Sequence, residues 1–294
     1  MEKNIQGNPD NHSIAQILTS KVLINQSVLA GCKLTAEQIN GQTEISYEYD
    51  NQDRLTVKNF VKLNYKEVFN YDTDGYLVKI TNNSSNPFSI DFVYQNNRLV
   101  SKTITHHYIS TPQKFTYEYN EAGQLVKMKE EMLTTTVTEF INGKAVKITN
   151  PFILYELNNF GLVTKAKSTG GTQTENTYKY DKNNMLVLHE IFSEPGKKIM
   201  YSEYKISKIK KSNLGDEFVN TFKGFPQYVD PFGEKTFYVN GITKYSTNSG
   251  TGMMVKAFSS DNTLTIDNTG KVLNSINTND VSSPVRVYLY SGCN

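Results

Sequence analysis

Histidine is the side chain that most often binds a metal or moves a proton in proteins, and this sequence has four: His12, His106, His107 and His189. His106 and His107 fall in a segment predicted to be a strand, where successive side chains point to opposite faces. They therefore cannot share one metal ion, and His189 is distant from both in sequence. Because the residues show no metal-ligand spacing, we predict no metal site and no cofactor.

Catalytic nucleophiles and acid–base pairs are also hard to assemble. Neither cysteine has a nearby histidine, and the sequence lacks a Gly-x-Ser-x-Gly elbow, a glycine-rich phosphate loop and a His-Glu-x-x-His motif. Asp50, Asp72 and Asp181 resemble paired carboxylates, but each flanks a predicted turn, where aspartate is favoured because it bonds the local backbone. We predict that the protein is not an enzyme.

The two cysteines, Cys32 and Cys293, lie near opposite ends of the chain. A disulfide between them would imply an oxidising compartment, and two unrelated thiols are the alternative. The sequence at 29–32, Leu-Ala-Gly-Cys, also resembles the lipobox of bacterial lipoproteins, in which the cysteine is lipidated. Disulfide bonding, lipidation and a free thiol all stay open for Cys32.

The competing interpretation of residues 1–31 is a short helix. Ser13 and Gln16 form a capping box, apolar residues share one face, and Gly31 follows as the terminating residue. These residues do not have the pattern of a secretory signal peptide, because the only apolar run is interrupted by polar residues. The cap signals favour the helix.

A repeat organises the elements that follow. Seven short segments align, and their second apolar position recurs mostly every 21 to 25 residues, a spacing that suits two strands and two turns. The segments are Tyr47–Asp50, Phe69–Asp72, Phe92–Gln95, Tyr117–Asn120, Thr138–Ile141, Tyr155–Asn158 and Tyr178–Asp181.

The turn chemistry predicts the register of each hairpin. A three-residue loop after Tyr71 places Gly75 in the left-handed conformation and Tyr71 opposite Leu77. The same register puts Asp53, Gly123, Gly161, Asn184 and Gly270 in the left-handed position. Two hairpins are one residue shorter and carry the dipeptides that type I′ turns favour, Asn96-Asn97 and Asn142-Gly143, and Asn240-Gly241 is interpreted as another.

Alternating apolar and charged residues predict a sheet with one buried and one wet face. The predicted fold is all-β: an antiparallel β-hairpin repeat meander of about eighteen strands, strongly curved or closed into a barrel-like sheet, with a short N-terminal helix. We divide the chain into an N-terminal segment over 1–31, hairpin repeats over 32–205, an irregular aromatic and basic insertion or cap over 206–236, and degenerate repeats of the same sheet over 237–294.

The insertion is the part of the chain that departs from the repeat. One interpretation is a cap over a sheet edge, which the sequence favours, and the other is a protrusion that binds a partner. The candidate partner-binding residues are its aromatic and basic side chains: Lys208, Lys210, Lys211, Phe218, Phe222, Phe225, Tyr228 and Phe232.

The repeated Tyr-x-Tyr-Asp-x-x-Gly-x-Leu pattern, seen most completely at 69–77, is similar to the YD repeats of RHS-type proteins. The resemblance covers about residues 44–205, and it is closest to small YD-repeat envelope proteins and lipoproteins of Bacteroidetes-type bacteria. It implies a scaffold in the cell envelope, in the periplasm or at the outer membrane, without assigning it a function.

Composition limits the partners. The net charge of +2 favours neither nucleic acid nor an anionic membrane as the default partner, and no apolar run is long enough for a membrane-spanning helix.

We expect a non-enzymatic scaffold that binds another envelope protein, one form being an accessory or plug subunit of an outer-membrane channel or secretion complex. The alternatives are a glycan-binding module that uses exposed tyrosines and a fragment of an RHS-type toxin shell. An outer-membrane barrel is disfavoured because strands of about eight residues are short for that role.

Overall fold

The computed structural model describes residues 33–170, 174–194, 196–210, 222–228, 230–232, 237–248, 251–266, 272–277 and 285–291. The N-terminal segment predicted as a helix, both cysteines, Lys211, Phe218 and Gly270 lie outside these residues. The described part of the chain contains twenty strands and no helix, which confirms the all-β prediction. Within it, no helix is long and apolar enough to span a membrane.

The strands are mostly five to nine residues long, and three in the C-terminal part are longer. They are β1 Lys33–Ile39, β2 Gln42–Tyr49, β3 Leu55–Phe60, β4 Tyr65–Tyr71, β5 Leu77–Asn82, β6 Phe88–Gln95, β7 Arg98–His106, β8 Gln113–Tyr119, β9 Leu125–Glu131, β10 Thr135–Ile141, β11 Lys144–Thr149, β12 Ile153–Leu157, β13 Val163–Ser168, β14 Glu175–Tyr180, β15 Leu186–Glu194, β16 Lys197–Lys210, β17 Phe237–Thr247, β18 Met254–Ile266, β19 Val272–Asn277 and β20 Arg286–Ser291.

Every pairing is antiparallel, and nearly every strand pairs with its neighbours in sequence. The last strand, β20, also pairs with β1, with Glu37 opposite Tyr288. The pairings thus form one continuous series. Consecutive strands pair from β11 down to β1, β1 pairs with β20, and consecutive strands pair again from β20 down to β12. No ladder joins β11 to β12 in the described residues, and we call this place the seam. Closure into a barrel-like sheet stays a prediction.

The predicted hairpin register is confirmed. Tyr71 pairs with Leu77, Gly75 has φ of 86°, and the amide of Asp72 donates to the carbonyl of Tyr76. The other three-residue loops follow the same rule, since Asp53, Gly123, Gly161 and Asn184 all have positive φ. The matching predicted pairs are Tyr49–Leu55, Tyr119–Leu125, Leu157–Val163, Tyr180–Leu186 and Ile266–Val272.

The two predicted type I′ turns are also present, with positive φ at Asn96-Asn97 and Asn142-Gly143. The interpretation of Asn240-Gly241 as a turn is wrong, because both residues lie inside β17. Gly241 pairs with Lys205 on one side and with Asp261 on the other. The long neighbouring strands supply ladder hydrogen bonds on both sides, and these outweigh the local turn preference of the dipeptide.

A β-bulge recurs at the same level in successive hairpins. In β4–β5, for example, Asn70 pairs with Lys79 and Tyr71 with Leu77, which leaves Val78 as the extra residue. The equivalent residue is β-branched in the seven hairpins from β2–β3 to β14–β15: Thr56, Val78, Val100, Val126, Val146, Thr164 and Val187. In β18–β19 it is Leu273. Bulges bend a strand and increase its twist, and their repetition gives all the hairpins a common shape.

The core lies on one face of this sheet, which we call the aromatic face. The repeat residues that point to it are buried, including Tyr47, Phe69, Phe92 and Tyr117, and the leading leucines of the second strands, such as Leu77, are fully enclosed. The alternation that predicted one buried face is therefore confirmed.

Candidate functional site

The aromatic residues of the irregular segment lie on the protein's own sheet. We call residues 222–232, except 229, the strap. Phe225 is 9% exposed, and its ring lies 5.4 Å from that of Phe92 and 6.4 Å from that of Tyr94. Phe222 contacts Phe69 on the preceding hairpin at 6.5 Å. The strap begins, then, by covering the aromatic face of β4 and β6.

Further along, the strap passes the seam. The ring of Tyr228 packs edge-on against that of Phe140 in β10 at 5.3 Å, and the ring of Phe232 lies 6.3 Å from that of Tyr155 in β12. Phe232 also contacts Tyr178 in β14 at 5.8 Å. Since β10 and β12 lie on opposite sides of the seam, the strap joins through its side chains two parts of the sheet that no ladder joins.

Backbone hydrogen bonds anchor the strap at two points. The amide of Leu99 donates to the carbonyl of Gly224 at 2.8 Å, and the amide of Val163 donates to the carbonyl of Pro231 at 2.6 Å. Gly224 has φ of 83°, and a Cβ atom there would lie 2.9 Å from the carbonyl oxygen of Asn97. Only glycine fits that position without displacing the turn.

Aromatic residues recur every three or four positions in the strap. Phe222 and Phe225 flank a turn, in which the amide of Phe225 donates to the carbonyl of Phe222 at 3.1 Å, and their rings contact Phe69 and Phe92 on neighbouring hairpins. This spacing was visible in the sequence, and it is the signal that favours a cap over a free protrusion.

The other predicted partner-binding residues are Phe232 and those of the basic run. Phe232 is 40% exposed. Lys208 and Lys210 belong to β16, which continues beyond the predicted start of the insertion, and Lys210 pairs with Phe237. Partner binding by these residues stays a prediction, as do the assignments of Lys211, Phe218, Cys32 and Cys293, which fall outside the described residues.

Tyrosine hydroxyls connect each hairpin to the one before it, a role that the sequence analysis missed. The hydroxyl of Tyr71 donates to the carbonyl of Leu55 at 2.9 Å. The same bond recurs between Tyr49 and Leu34, Tyr94 and Leu77, Tyr119 and Leu99, and Tyr180 and Val163. The hairpins on either side of the seam have Phe140 and Leu157 at this position, so the hydroxyl bond is missing across the seam and also between β9 and β10, where the ladder is intact.

Burial makes these hydroxyls poor acids. It raises the pKa of Tyr49, Tyr71 and Tyr119 to about 12, and it raises the pKa of Tyr94 and Tyr180 further. A neutral hydroxyl is required because it donates to a carbonyl oxygen. The tyrosines are therefore structural donors and not acid–base groups.

The ionisable side chains considered in the sequence are dispersed. The carboxylate of Asp72 accepts the amide of Tyr76 at 2.8 Å, and Asp50 and Asp181 accept the equivalent amides in their turns. His189 stacks on Tyr178, and burial lowers its pKa. No group of three or more potential metal ligands occurs among the described residues.

One charged cluster is buried where the first and last strands meet. Glu37, 7% exposed, accepts the hydroxyl of Tyr47 at 2.6 Å and a guanidinium hydrogen of Arg286 at 2.7 Å. Burial, and to a smaller extent the charge of Glu37, raises the pKa of Tyr47. Each oxygen of the carboxylate has a partner, so this cluster holds β20 against β1.

The seam is bordered by exposed apolar side chains, which we call the seam patch: Ile141, Val146, Leu154 and Phe160. Ile141 and Val146 line a cleft of about 410 Å³ between the β10–β11 and β12–β13 turns, and Leu157 and Gly161 line its other side. At the end of the cleft Gly161 touches the backbone of Ala145, since a Cβ atom on Gly161 would lie 2.6 Å from the Ala145 oxygen.

Comparison with known proteins does not assign a family, because no protein-family model and no curated protein matches this sequence. A crystal structure of TcdB2-TccC3 is similar over 86% of this chain, with 11% sequence identity and a TM-score of 0.39, and this chain spans 15% of that chain. A porin-like protein from Bacteroides vulgatus is similar over 88% of this chain and 99% of its own, at 9% identity and a TM-score of 0.36.

A second porin-like protein, from Bacteroides uniformis, is similar over 75% of this chain and 98% of its own, at 16% identity and a TM-score of 0.28. Because all three TM-scores are below 0.5, these similarities carry no argument about this chain.

Proposed function

We propose that the protein is a non-enzymatic β-repeat scaffold of the bacterial cell envelope that acts by binding another protein, one form being an accessory or plug subunit of an outer-membrane or secretion complex. The observation that supports this proposal is the seam patch. Large apolar side chains that gather on the exposed surface of a soluble domain typically mark a protein contact, and here they surround the break in the described ladder.

The seam patch is a better contact than the inner part of the strap. Phe222, Phe225 and Tyr228 already pack on the aromatic face, so using them for a partner would require the strap to leave its own core. Val146 and Leu154 lie on strands that the core holds in place, and they are 49% and 62% exposed. A partner can cover them without any rearrangement of this chain.

The envelope location rests on the resemblance of the repeat and on the Leu-Ala-Gly-Cys sequence at 29–32. If Cys32 is lipidated, the Cys32→Ser variant should move from the membrane fraction to the soluble fraction of the native host. Recovery of both forms from the cytoplasm would contradict the envelope location.

The partner is tested by recovering a tagged copy from membranes of the native host, expressed near its natural level, with mass spectrometry of the proteins that co-elute. Two valines of nearly equal exposure make a matched pair: Val146 at the seam and Val93 on β6, which are 49% and 51% exposed. Val146→Lys should lose the partner and Val93→Lys should retain it. Recovery of the protein alone, or equal recovery of a partner with both variants, would contradict the proposal.

One observation favours the glycan-binding alternative. Tyr201 and Tyr245, which are half-buried, stack with ring centroids 4.3 Å apart, whereas the repeat tyrosines face the core. A stacked pair of partly exposed rings suits a sugar face. This alternative predicts a glycan-array signal that Tyr245→Ala removes and Val93→Lys leaves intact. The toxin-shell fragment stays a prediction without such an observation.

A further inference from the structure

The two ends of the sheet carry different turns. In an antiparallel meander every second turn lies at the same end, and the repeat turns, with their asparagine, aspartate and glycine residues, occupy one end. The turns at the opposite end, which we call the rim, include 61–64, 107–112, 132–134, 150–152 and 251–253. Large apolar side chains at these turns are strongly exposed: Leu63 at 67%, Tyr108 at 70%, Leu133 at 84%, Phe152 at 57% and Met253 at 68%.

Turn geometry does not require these residues. The repeat turns need side chains that tolerate positive φ, and this explains their composition. In the described rim turns, by contrast, a polar residue would serve equally well at the exposed positions of Leu63 and Leu133. A single leucine in water needs no explanation. Exposed apolar side chains at five turns of one end, although polar turns such as 83–87 lie between them, indicate something outside the chain that covers them.

Exposed lysines border the rim. Lys66, Lys114 and Lys197 are exposed there, as is Lys62, which pairs with Glu44, and the carboxylates near the described rim, such as Glu130 and Glu131, are half-buried. The repeat end has exposed groups of both signs, with the carboxylates Asp53, Asp74 and Glu121 beside Lys182 and Lys223. The rim therefore combines apolar turn apices with exposed lysines, although the whole chain is nearly neutral.

We propose that the rim docks on a phospholipid surface, with its turn apices inserted at the boundary between headgroups and acyl chains. The apolar side chains project one or two at a time from separate turns at the same end of the sheet, so a surface at that end can contact several of them. Apolar side chains inserted into the interface with lysines among anionic headgroups are the two usual sources of such binding. A protein partner would instead need a contiguous packed surface.

Co-sedimentation of the full chain with vesicles tests the docking. The vesicles contain phosphatidylcholine alone, or phosphatidylcholine with an equal amount of phosphatidylglycerol. The rim pair Leu63→Gln and Leu133→Gln should lower the partition coefficient by roughly tenfold per residue. The control pair Val93→Gln and Leu273→Gln, which removes exposed apolar side chains near the repeat end and outside the seam patch, should leave it unchanged.

Fluorescence gives a second readout because the chain has no tryptophan. Emission of the Leu133→Trp variant should shift to the blue when vesicles are added, and emission of the Val93→Trp variant should not. Failure of the wild-type chain to sediment with either vesicle, or equal effects of the two pairs, would overturn the proposal. Loss of a co-purifying protein from the rim pair without any vesicle binding would overturn it in favour of a protein partner.

This inference does not depend on the proposed protein partner. The Val146→Lys variant changes partner recovery while leaving the rim intact, and the rim pair changes vesicle binding while leaving Val146 and Leu154 in place. The two proposals can therefore fail separately.

Discussion

Gly161 illustrates how a single atom decides whether two parts of the sheet can meet. It has φ of 78°, and a Cβ atom would lie 2.6 Å from the oxygen and 2.7 Å from the nitrogen of Ala145. Both are backbone atoms of β11, so they cannot rotate away as a side chain would. The glycine therefore allows the β12–β13 turn to rest on β11 beside the seam.

We expect Gly161→Ala to lower the free energy of unfolding by about 2 kcal/mol more than Gly41→Ala does. Gly41 is a matched control because it also has positive φ, at 75°, but a Cβ atom there meets nothing within 4 Å. Urea unfolding of the two variants measures the difference. Equal losses would show that the close approach to Ala145 contributes nothing beyond the backbone conformation.

The buried tyrosine hydroxyls make stability dependent on alkaline pH. Burial raises the pKa of Tyr49, Tyr71 and Tyr119 to about 12 in the folded chain, against about 10 when unfolded. The folded state therefore holds these protons more tightly. Their contribution is fully present below about pH 10 and is lost as the pH rises through 12.

The urea concentration at the midpoint of unfolding should thus be lower at pH 11 than at pH 8, because pH 11 lies within that window. Replacing Tyr71 and Tyr119 with phenylalanine should reduce the size of this decrease, because two of the titrating groups are removed. The exposed Tyr108, whose hydroxyl bonds only a turn carbonyl, supplies the control as Tyr108→Phe. An unchanged pH dependence in the double variant would contradict the assignment.

At the scale of elements, the strap adds a second layer to a fold that otherwise consists of a single layer, the sheet. Its aromatic side chains fill the aromatic face from β4 to β14, and its carbonyls accept amides of Leu99 and Val163. A sheet with one apolar face must bury that face against something. Part of the chain that interrupts the repeat supplies this cover.

We expect Phe225→Ala to lower the free energy of unfolding by about 3 to 5 kcal/mol, the usual cost of emptying the site of a buried phenylalanine. Phe232→Ala should cost about 1 kcal/mol, because that side chain is 40% exposed. Thermal and urea unfolding of both variants give the comparison. Similar small losses for the two would mean that the strap does not hold the sheet.

At the scale of the whole molecule, the sheet has one weak boundary among its described strands. The junction of β20 with β1 has a ladder and the buried Glu37 cluster. The seam has neither, and the tyrosine hydroxyl bond is also missing there. It is held by the Gly161 contact, by the chain connection through Pro151 and by the strap.

Hydrogen exchange should therefore be faster at the seam than elsewhere in the sheet. We expect amides of β11 and β12 to exchange more rapidly than those of β6 and β7, which have ladders on both sides, when both are followed by mass spectrometry in the native state. Equal protection of these two regions would show that the seam is as stable as a paired boundary.

Much of the hairpin structure could be predicted because it is local. Gly75 and Asn96-Asn97 determine the type of their turns through the sign of φ, and turn type determines which residues face each other a few positions away. Asn240-Gly241 shows the limit of this rule. Its preference was outweighed by β16 and β18, whose pairing with β17 depends on residues far along the chain.

The sequence by itself determined the strand class, the register of each repeat hairpin and the face that is buried, because these depend on residues within about ten positions of one another. Only the tertiary structure decided that β20 pairs with β1, that the ladder stops between β11 and β12, and that the strap lies across Phe92 and Phe140. The β1–β20 and strap contacts join residues that are far apart in the sequence, and the choice among many similar strands depends on how all the hairpins fit together.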